Sequence, residues 1–240
     1  MPGSAEGDML LDARAGGGRV SVLTRNSRVN SLLQAVLEDW HFINEPDAAC
    51  VDILLLERGL PVPDGRWEVI WLTPLPLGDE PHLEVPLSLT GLYHCLERRF
   101  FAQPRHHIRL TLNQPLDLNV RGVWLVGRLL SLSDRGARIS CPAHLPKGER
   151  LQLDFQLERQ FLRLTAEVLY DIPAGDVPGR EQPQAGLLFK LPRPALRTAL
   201  RHFIERSLVE QACKKTGISA SDPSLSWFSL VRDPWGEFTG

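Results

Sequence analysis

Apolar residues recur along this chain with two different periods, and the change of period divides it. Val29, Leu32, Leu33, Val36, Leu37 and Trp40 stand at i, i+3, i+4, i+7, i+8 and i+11. That is one face of a helix about three turns long. Asn26 or Ser27 precedes it and can cap its first turn. Leu89, Leu92, Leu96 and Phe100 repeat the helical period behind Ser88, a second capping residue. Arg19–Leu23, Val51–Leu56, Trp67–Leu72 and Leu83–Val85 read as strands. The run after Asp52 is wholly apolar, as in a strand covered on both faces. The order β-α-(β)-β-β-β-α predicts an α/β unit with a largely parallel sheet.

After Phe101-Ala102-Gln103-Pro104 the period drops to two. Leu151, Leu153, Phe155 and Leu157 alternate with polar residues, Glu158-Arg159-Gln160 can turn the chain, and Leu162, Leu164, Ala166, Val168 and Tyr170 alternate again. This predicts a hairpin with one buried face. Further strands are expected at 107–112, 116–120, 123–130, 137–140 and 184–190, with an exposed loop over 173–183. Short antiparallel strands at this spacing suggest a small closed barrel. Pro194 opens a helix at a position proline tolerates. Its stripe is Leu196, Ala199, Leu200, Phe203, Ile204 and Leu208, with Arg193, Arg197, Arg201 and Arg206 spread over the rest. The boundaries read as a disordered leader over 1–18, an α/β domain over 19–102, a barrel with its helix over 103–213, and a tail over 214–240. Trp227, Phe228, Trp235 and Phe238 in the tail call for a docking surface, on this chain or on a partner.

A length of 240 residues suits two such domains. With 43% apolar and 23% charged residues the chain is not disordered overall. No apolar run reaches the ~18 residues that span a bilayer, and the first residues lack the apolar core of a secretory signal. Cys50, Cys95, Cys141 and Cys213 form no C-x-x-C, which argues against zinc or a disulfide framework and for a reducing cytoplasm. His106 and His107 would point to opposite faces of a strand and make a poor chelate. The net charge of −2 hides a split. Residues 1–102 hold 8 Arg, no Lys and 15 acidic residues, a balance of −7. Residues 103–213 hold 14 Arg, 2 Lys and 11 acidic residues, a balance of +5. An anionic partner for the second half is one reading; two solvated surfaces are the other, and charge alone favours the latter. No G-x-S-x-G, H-E-x-x-H or P-loop is present, so an enzyme is not expected.

One ordered set of residues is more specific. Arg105-His-His-Ile-Arg109 is an R-x-x-x-R, and Ser131-Leu-Ser133-Asp-Arg-Gly136 follows after two strand-like segments. Then come a strand, a hairpin, Ala185-Gly186-Leu187-Leu188-Phe189 and a helix. The set resembles the PilZ domain family over about residues 103–212. That family pairs R-x-x-x-R with [DN]-x-S-x-x-G, and its members bind the bacterial messenger cyclic di-GMP. The residue types suit that ligand, since guanidinium forks match phosphate oxygens and the O6/N7 edge of guanine and stack on purines. The resemblance implies that Arg105 and Arg109 grip phosphate and guanine. It also implies that Ser133 supplies a hydroxyl, that Gly136 lets the backbone turn beside the ligand, and that Arg138 adds positive field. Ser131 departs from the pattern: a hydroxyl stands where the family has Asp or Asn, and its reach is shorter.

The first domain resembles, with its motif residues replaced, the receiver domains of response regulators over about residues 19–101. Val51–Pro61 looks like the strand that ends in the phosphoacceptor, here Glu57. Trp71-Leu72-Thr73 looks like the strand with the switch Thr. Val85-Pro86 stands for the Lys-Pro pair, and Thr24-Arg25 for the metal-binding acids. Glu57 beside Arg25, without further carboxylates or the Lys, does not supply a Mg²⁺ site, so phosphorylation chemistry is not expected. The fold class is thus α/β plus all-β: a shortened flavodoxin-like, receiver-type domain followed by a small antiparallel PilZ-type β-barrel with a C-terminal helix. The expected role is a cytoplasmic, non-enzymatic cyclic di-GMP effector without metal or resident cofactor. Ligand binding at the interdomain segment would alter domain or partner contacts, with Arg105, Arg109, Ser131, Ser133 and Gly136 as the ligand-binding residues. A protein partner is expected through the receiver-like domain or the tail, and a homodimer is open. The alternative is a scaffold that binds a protein partner without nucleotide, and a nucleic-acid binder is weaker still, for want of an aromatic stacking platform.

Overall fold

The computed structural model describes residues 17–45, 50–174, 182–190 and 194–235. The leader up to residue 16, most of the expected loop over 173–183, Arg193 and Phe238 lie outside the described residues. The described residues form two compact units, one over 17–105 with Leu208–Leu230 and one over His106–Ser207 with 231–235. Among the described residues, 214–230 belong with the α/β unit and 231–235 with the barrel.

In the first unit, β1 (Arg19–Leu23), α1 (Ser27–Asp39), β2 (Ile43–Asn44), β3 (Ile53–Glu57), β4 (Glu68–Thr73), β5 (His82–Glu84) and α2 (Leu89–Phe100) follow one another. The sheet is parallel throughout, in the order β2-β1-β3-β4-β5, the flavodoxin-type order. Asn26 caps α1 by accepting from the amides of Arg28 and Val29, and Ser88 caps α2 by accepting from Gly91. The residues described between β3 and β4, and between β4 and β5, contain no helix, so the domain is short of the usual set.

Register explains the core. Val20, Val22, Ile53, Leu55, Ile70 and Leu72 share one face and are buried. On the other face Leu54 and Leu56 are also buried, while Val69 and Trp71 are only half-buried. Trp40, at the end of α1, meets Tyr93 of α2 edge-on with centroids 5.0 Å apart. The returning chain adds a parallel bridge between Phe228 and Leu87, and Arg28 pairs with Asp222 and Lys215 with Asp39. Two of the tail's aromatic residues, Trp227 and Phe228, thus meet the strap after β5 within the same unit.

In the second unit, β6 (Leu110–Val120), β7 (Val123–Leu132), β8 (Gly136–Ser140), β9 (Arg150–Leu157), β10 (Gln160–Ile172) and β11 (Gln184–Phe189) close into an antiparallel barrel. Its order is β10-β11-β8-β7-β6-β9. Helix α3 (Pro194–Thr216) follows. Leu110, Leu118, Leu129, Leu132, Ile139, Leu153 and Leu164 fill the interior.

The two strands expected at 107–112 and 116–120 are one strand that starts later and carries a bulge between Thr111 and Gln114. Pro115 interrupts the pattern in sequence but not in space, because pairing to β9 begins only at Asp117. A proline is tolerated where one side of a strand is an edge. Leu196, Ala199, Leu200, Phe203 and Ile204 of α3 are buried, and Trp235 packs on Phe203 with centroids 5.7 Å apart. No helix among the described residues is long and apolar enough to cross a membrane.

Candidate functional site

The motif residues of the barrel gather where β6, β7, β8 and β11 lie side by side. Leu110 pairs with Leu132, Leu132 with Ala137, and Ala137 with Leu187, an inward-facing row. One residue along, Thr111, Ser131, Arg138 and Gly186 pair across the same four strands. Paired residues share a face and successive residues alternate, so this second row is on the outer face. A Cβ on Gly186 would lie 2.2 Å from the Tyr170 ring, so the tyrosine caps the end of the row. Ser131 is buried, and its hydroxyl makes no hydrogen bond among the described residues.

Beyond Leu132 the chain turns tightly. The Ser133 amide donates to the Gly136 carbonyl at 2.8 Å, and its hydroxyl donates to the same oxygen at 3.2 Å. The hydroxyl also accepts from the amides of Arg135 and Gly136 at 3.3 and 3.1 Å. Ser133 is thus the clasp of the turn. Gly136 does not owe its place to a left-handed backbone, as its φ is not positive. A Cβ there would lie 2.0 Å from the Leu187 carbonyl oxygen. The glycine is required because β11 approaches closely.

The turn presents Asp134 inward rather than to solvent. Its side chain is only 5% exposed and has three nitrogen partners, two of them from guanidinium groups. His107 Nδ1 lies 2.7 Å from Oδ1, Arg197 Nε donates to Oδ2 at 2.9 Å, and an Arg201 terminal nitrogen donates to Oδ2 at 3.0 Å. Burial by itself would raise the carboxyl's pKa. Hydrogen bonds from His107, Arg201 and Arg197 outweigh it and hold the group well below the usual carboxylate range.

The R-x-x-x-R segment is placed in two parts. Arg109 precedes β6, and the register carries it to the level of Ser133. Its guanidinium is exposed and makes no hydrogen bond or ion pair among the described residues. Ile108, beside it, is buried. Arg105 belongs to the first unit, where its amide donates to Glu97 Oε2 at 2.7 Å. Arg109, Ser131, Ser133 and Gly136 therefore lie on one edge of the barrel, with Arg138 in the outer row.

Four residues of this edge escape a sequence reading: Asp134, His107, Arg197 and Arg201. A signal did exist for the last two. They stand four apart on one helix face, in the first two turns, where the helix dipole disfavours cations. Two arginines there imply an anion nearby.

The first unit offers a contrast at the ends of its strands. Glu57 accepts the Arg25 amide at 2.7 Å and a terminal nitrogen of the same arginine at 3.4 Å. The other terminal nitrogen donates to the Gly59 carbonyl at 3.0 Å. Thr73, at the switch position, donates its hydroxyl to the Leu75 carbonyl at 3.0 Å. Among the described residues no group of three His, Cys, Asp or Glu side chains is placed to hold a metal.

The PilZ domain family model matches residues 103–206. No curated protein matches the chain. Among solved structures, the PilZ domain of YcgR from Escherichia coli with c-di-GMP is 20% identical, with a TM-score of 0.40, over 49% of this chain and 100% of that one. The Bacillus subtilis inhibitor of motility MotI/DgrA is 16% identical (TM-score 0.39, 45% of this chain and 53% of that one). The Klebsiella pneumonia MrkH–c-di-GMP complex is 15% identical (TM-score 0.38, 49% and 57%). The chain thus spans only about half the length of these last two. The family match covers the whole barrel and the first turns of α3: residues 103–206 are a PilZ domain.

Proposed function

We propose that the chain is a bacterial cytoplasmic effector that binds cyclic di-GMP at the motif edge of its barrel and passes the signal on through altered domain or partner contacts. The observation that carries this reading is the PilZ match together with the retained Arg105, Arg109, Ser133 and Gly136. The chemistry supports it. Arg109 is an exposed guanidinium with all its donors unspent among the described residues. A planar fork of that kind suits a phosphodiester or a guanine edge. Ser133 and Gly136 serve by building the turn on which the edge stands. Altered contacts require that the ligand favour one arrangement over another.

Isothermal titration of the full chain with cyclic di-GMP is the test. Saturable binding is expected, and Arg109→Ala is expected to weaken it by roughly 10- to 100-fold, the loss of a charge-assisted contact. No heat at high ligand concentration sinks the proposal, and full binding by Arg109→Ala removes the site assignment.

Ser131 favours a second reading, a scaffold that binds a protein without nucleotide. Its hydroxyl lies in the outer row where the family has a longer carboxylate or amide. Ser131→Asp separates the two. A gain in affinity of about tenfold or more means that the natural edge is a weakened ligand site. No binding by either form favours the scaffold.

A further inference from the structure

We propose that Arg197 and Arg201 are a further anion-binding pair of this edge, aimed by Asp134, and that they take a phosphate of the bound cyclic dinucleotide. The inference deepens the proposed function and rests on it. Asp134 is a single negative charge that meets two guanidinium groups and His107. One arginine would neutralise it. The second leaves a local positive surplus, and the surplus sits within the serine–glycine motif that the ligand is expected to approach.

Donor accounting points the same way. A guanidinium carries five N–H donors. Arg197 gives Asp134 only its Nε, and Arg201 gives one terminal nitrogen. Among the described residues the other nitrogens of both have no partner. The two side chains are 33% and 37% exposed, while the carboxylate between them is 5% exposed. The arrangement fixes the inner side of each fork and leaves the outer side open to solutes. Two oriented forks four residues apart on one helix can converge on the non-bridging oxygens of one phosphodiester. The start of α3 adds its own positive end to the field. Asp134 is then a positioning residue: it holds His107, inside the R-x-x-x-R segment, and sets the two helix arginines on the same edge.

The test is titration of cyclic di-GMP into the full parent chain, the Arg197→Gln/Arg201→Gln double variant and Arg109→Ala, at low and moderate salt, with thermal melts to verify folding. The double variant is expected to bind about tenfold or more weakly and to show a shallower dependence on salt, because two phosphate-facing charges are gone. If the double variant does not fold, Arg201→Gln alone keeps Arg197 on Asp134 and is expected to show the same direction. A purely structural clamp lowers the melting temperature and leaves affinity and salt dependence as in the parent. That outcome, with Arg109→Ala weakened, overturns this inference and leaves the proposed function standing. A parent chain that does not bind overturns both.

Discussion

Glu57 ends β3 and Asp134 follows β7, and the surroundings of these two acidic side chains differ in a way that charge totals conceal. Glu57 meets one arginine, and Arg25 spends its other terminal nitrogen on the Gly59 carbonyl. The charge is paired one to one there, and two of the three guanidinium nitrogens of Arg25 are engaged. Asp134 meets Arg197, Arg201 and His107, and most donors of the two arginines stay open. One end of the sheet is a finished pair and one edge of the barrel is an unfinished one. A basic half-chain implies a ligand only where its cations are left unspent, so the pairing of each arginine matters more than the balance of +5.

The difference can be attacked first at the scaffold. Gly136→Val puts side-chain atoms where the Leu187 carbonyl already lies, and β8 must move off β11. A loss of about 3 kcal/mol in urea unfolding is expected, with ligand binding lost as well. A valine variant as stable as the parent would mean that the β8–β11 spacing, and with it the motif turn, is softer than described.

Asp134→Asn comes next. Removing the charge leaves two arginines and a histidine without their anion, which for a fully buried group costs several kcal/mol. Solvent at the half-open arginines screens part of this, and about 2 kcal/mol is expected. The acid range gives a sharper measurement. The folded carboxyl lies below its ordinary value because three hydrogen bonds outweigh burial, and in the unfolded chain it titrates near ~3.9. The native state therefore holds fewer protons between those values. The stabilisation is complete above pH ~4 and is lost as pH falls from there toward the folded value. Melting temperatures of parent and variant should converge below pH ~4. A gap that stays constant from neutral pH to pH ~3 would show that Asp134 is not the group responsible.

The fold was more legible than the site, for physical reasons. Helix faces and caps are local, and Asn26 and Ser88 do cap α1 and α2. Period-two alternation is local too, and the hairpin of β9 and β10 sets Leu151, Leu153 and Phe155 opposite Ala166, Leu164 and Leu162 on one face, with Gln160 already paired to Leu157. Two strands are expected where β6 is one, because continuous pairing across the bulge between Thr111 and Gln114 depends on a neighbouring strand, which periodicity does not contain. The placement of Gly136 was legible, but its reason was not, since the carbonyl that forbids a side chain belongs to a strand far along the chain. The Asp134 cluster was the least legible part. Its arginines are 63 and 67 residues away in sequence, and only closure of the barrel with α3 brings them in. The spacing of the adjacent histidines shows only that they make a poor chelate, not that His107 meets a carboxylate.

The smallest effect is the one that the comparison most needs. Glu57→Gln removes a charge of the same kind at the end of another strand, yet it should cost less than about 1 kcal/mol. Arg25 is 60% exposed and can return to water, and a glutamine oxygen can still accept the Arg25 amide. No surplus cation is stranded, because the pair was one to one. Urea unfolding of Glu57→Gln beside Asp134→Asn under one buffer reads the difference directly. Equal losses would mean that both carboxylates are ordinary ion pairs and that the open donors of Arg197 and Arg201 signify nothing. A loss confined to Asp134→Asn, with cyclic di-GMP affinity unchanged in Glu57→Gln, places the excess positive charge at the barrel edge alone.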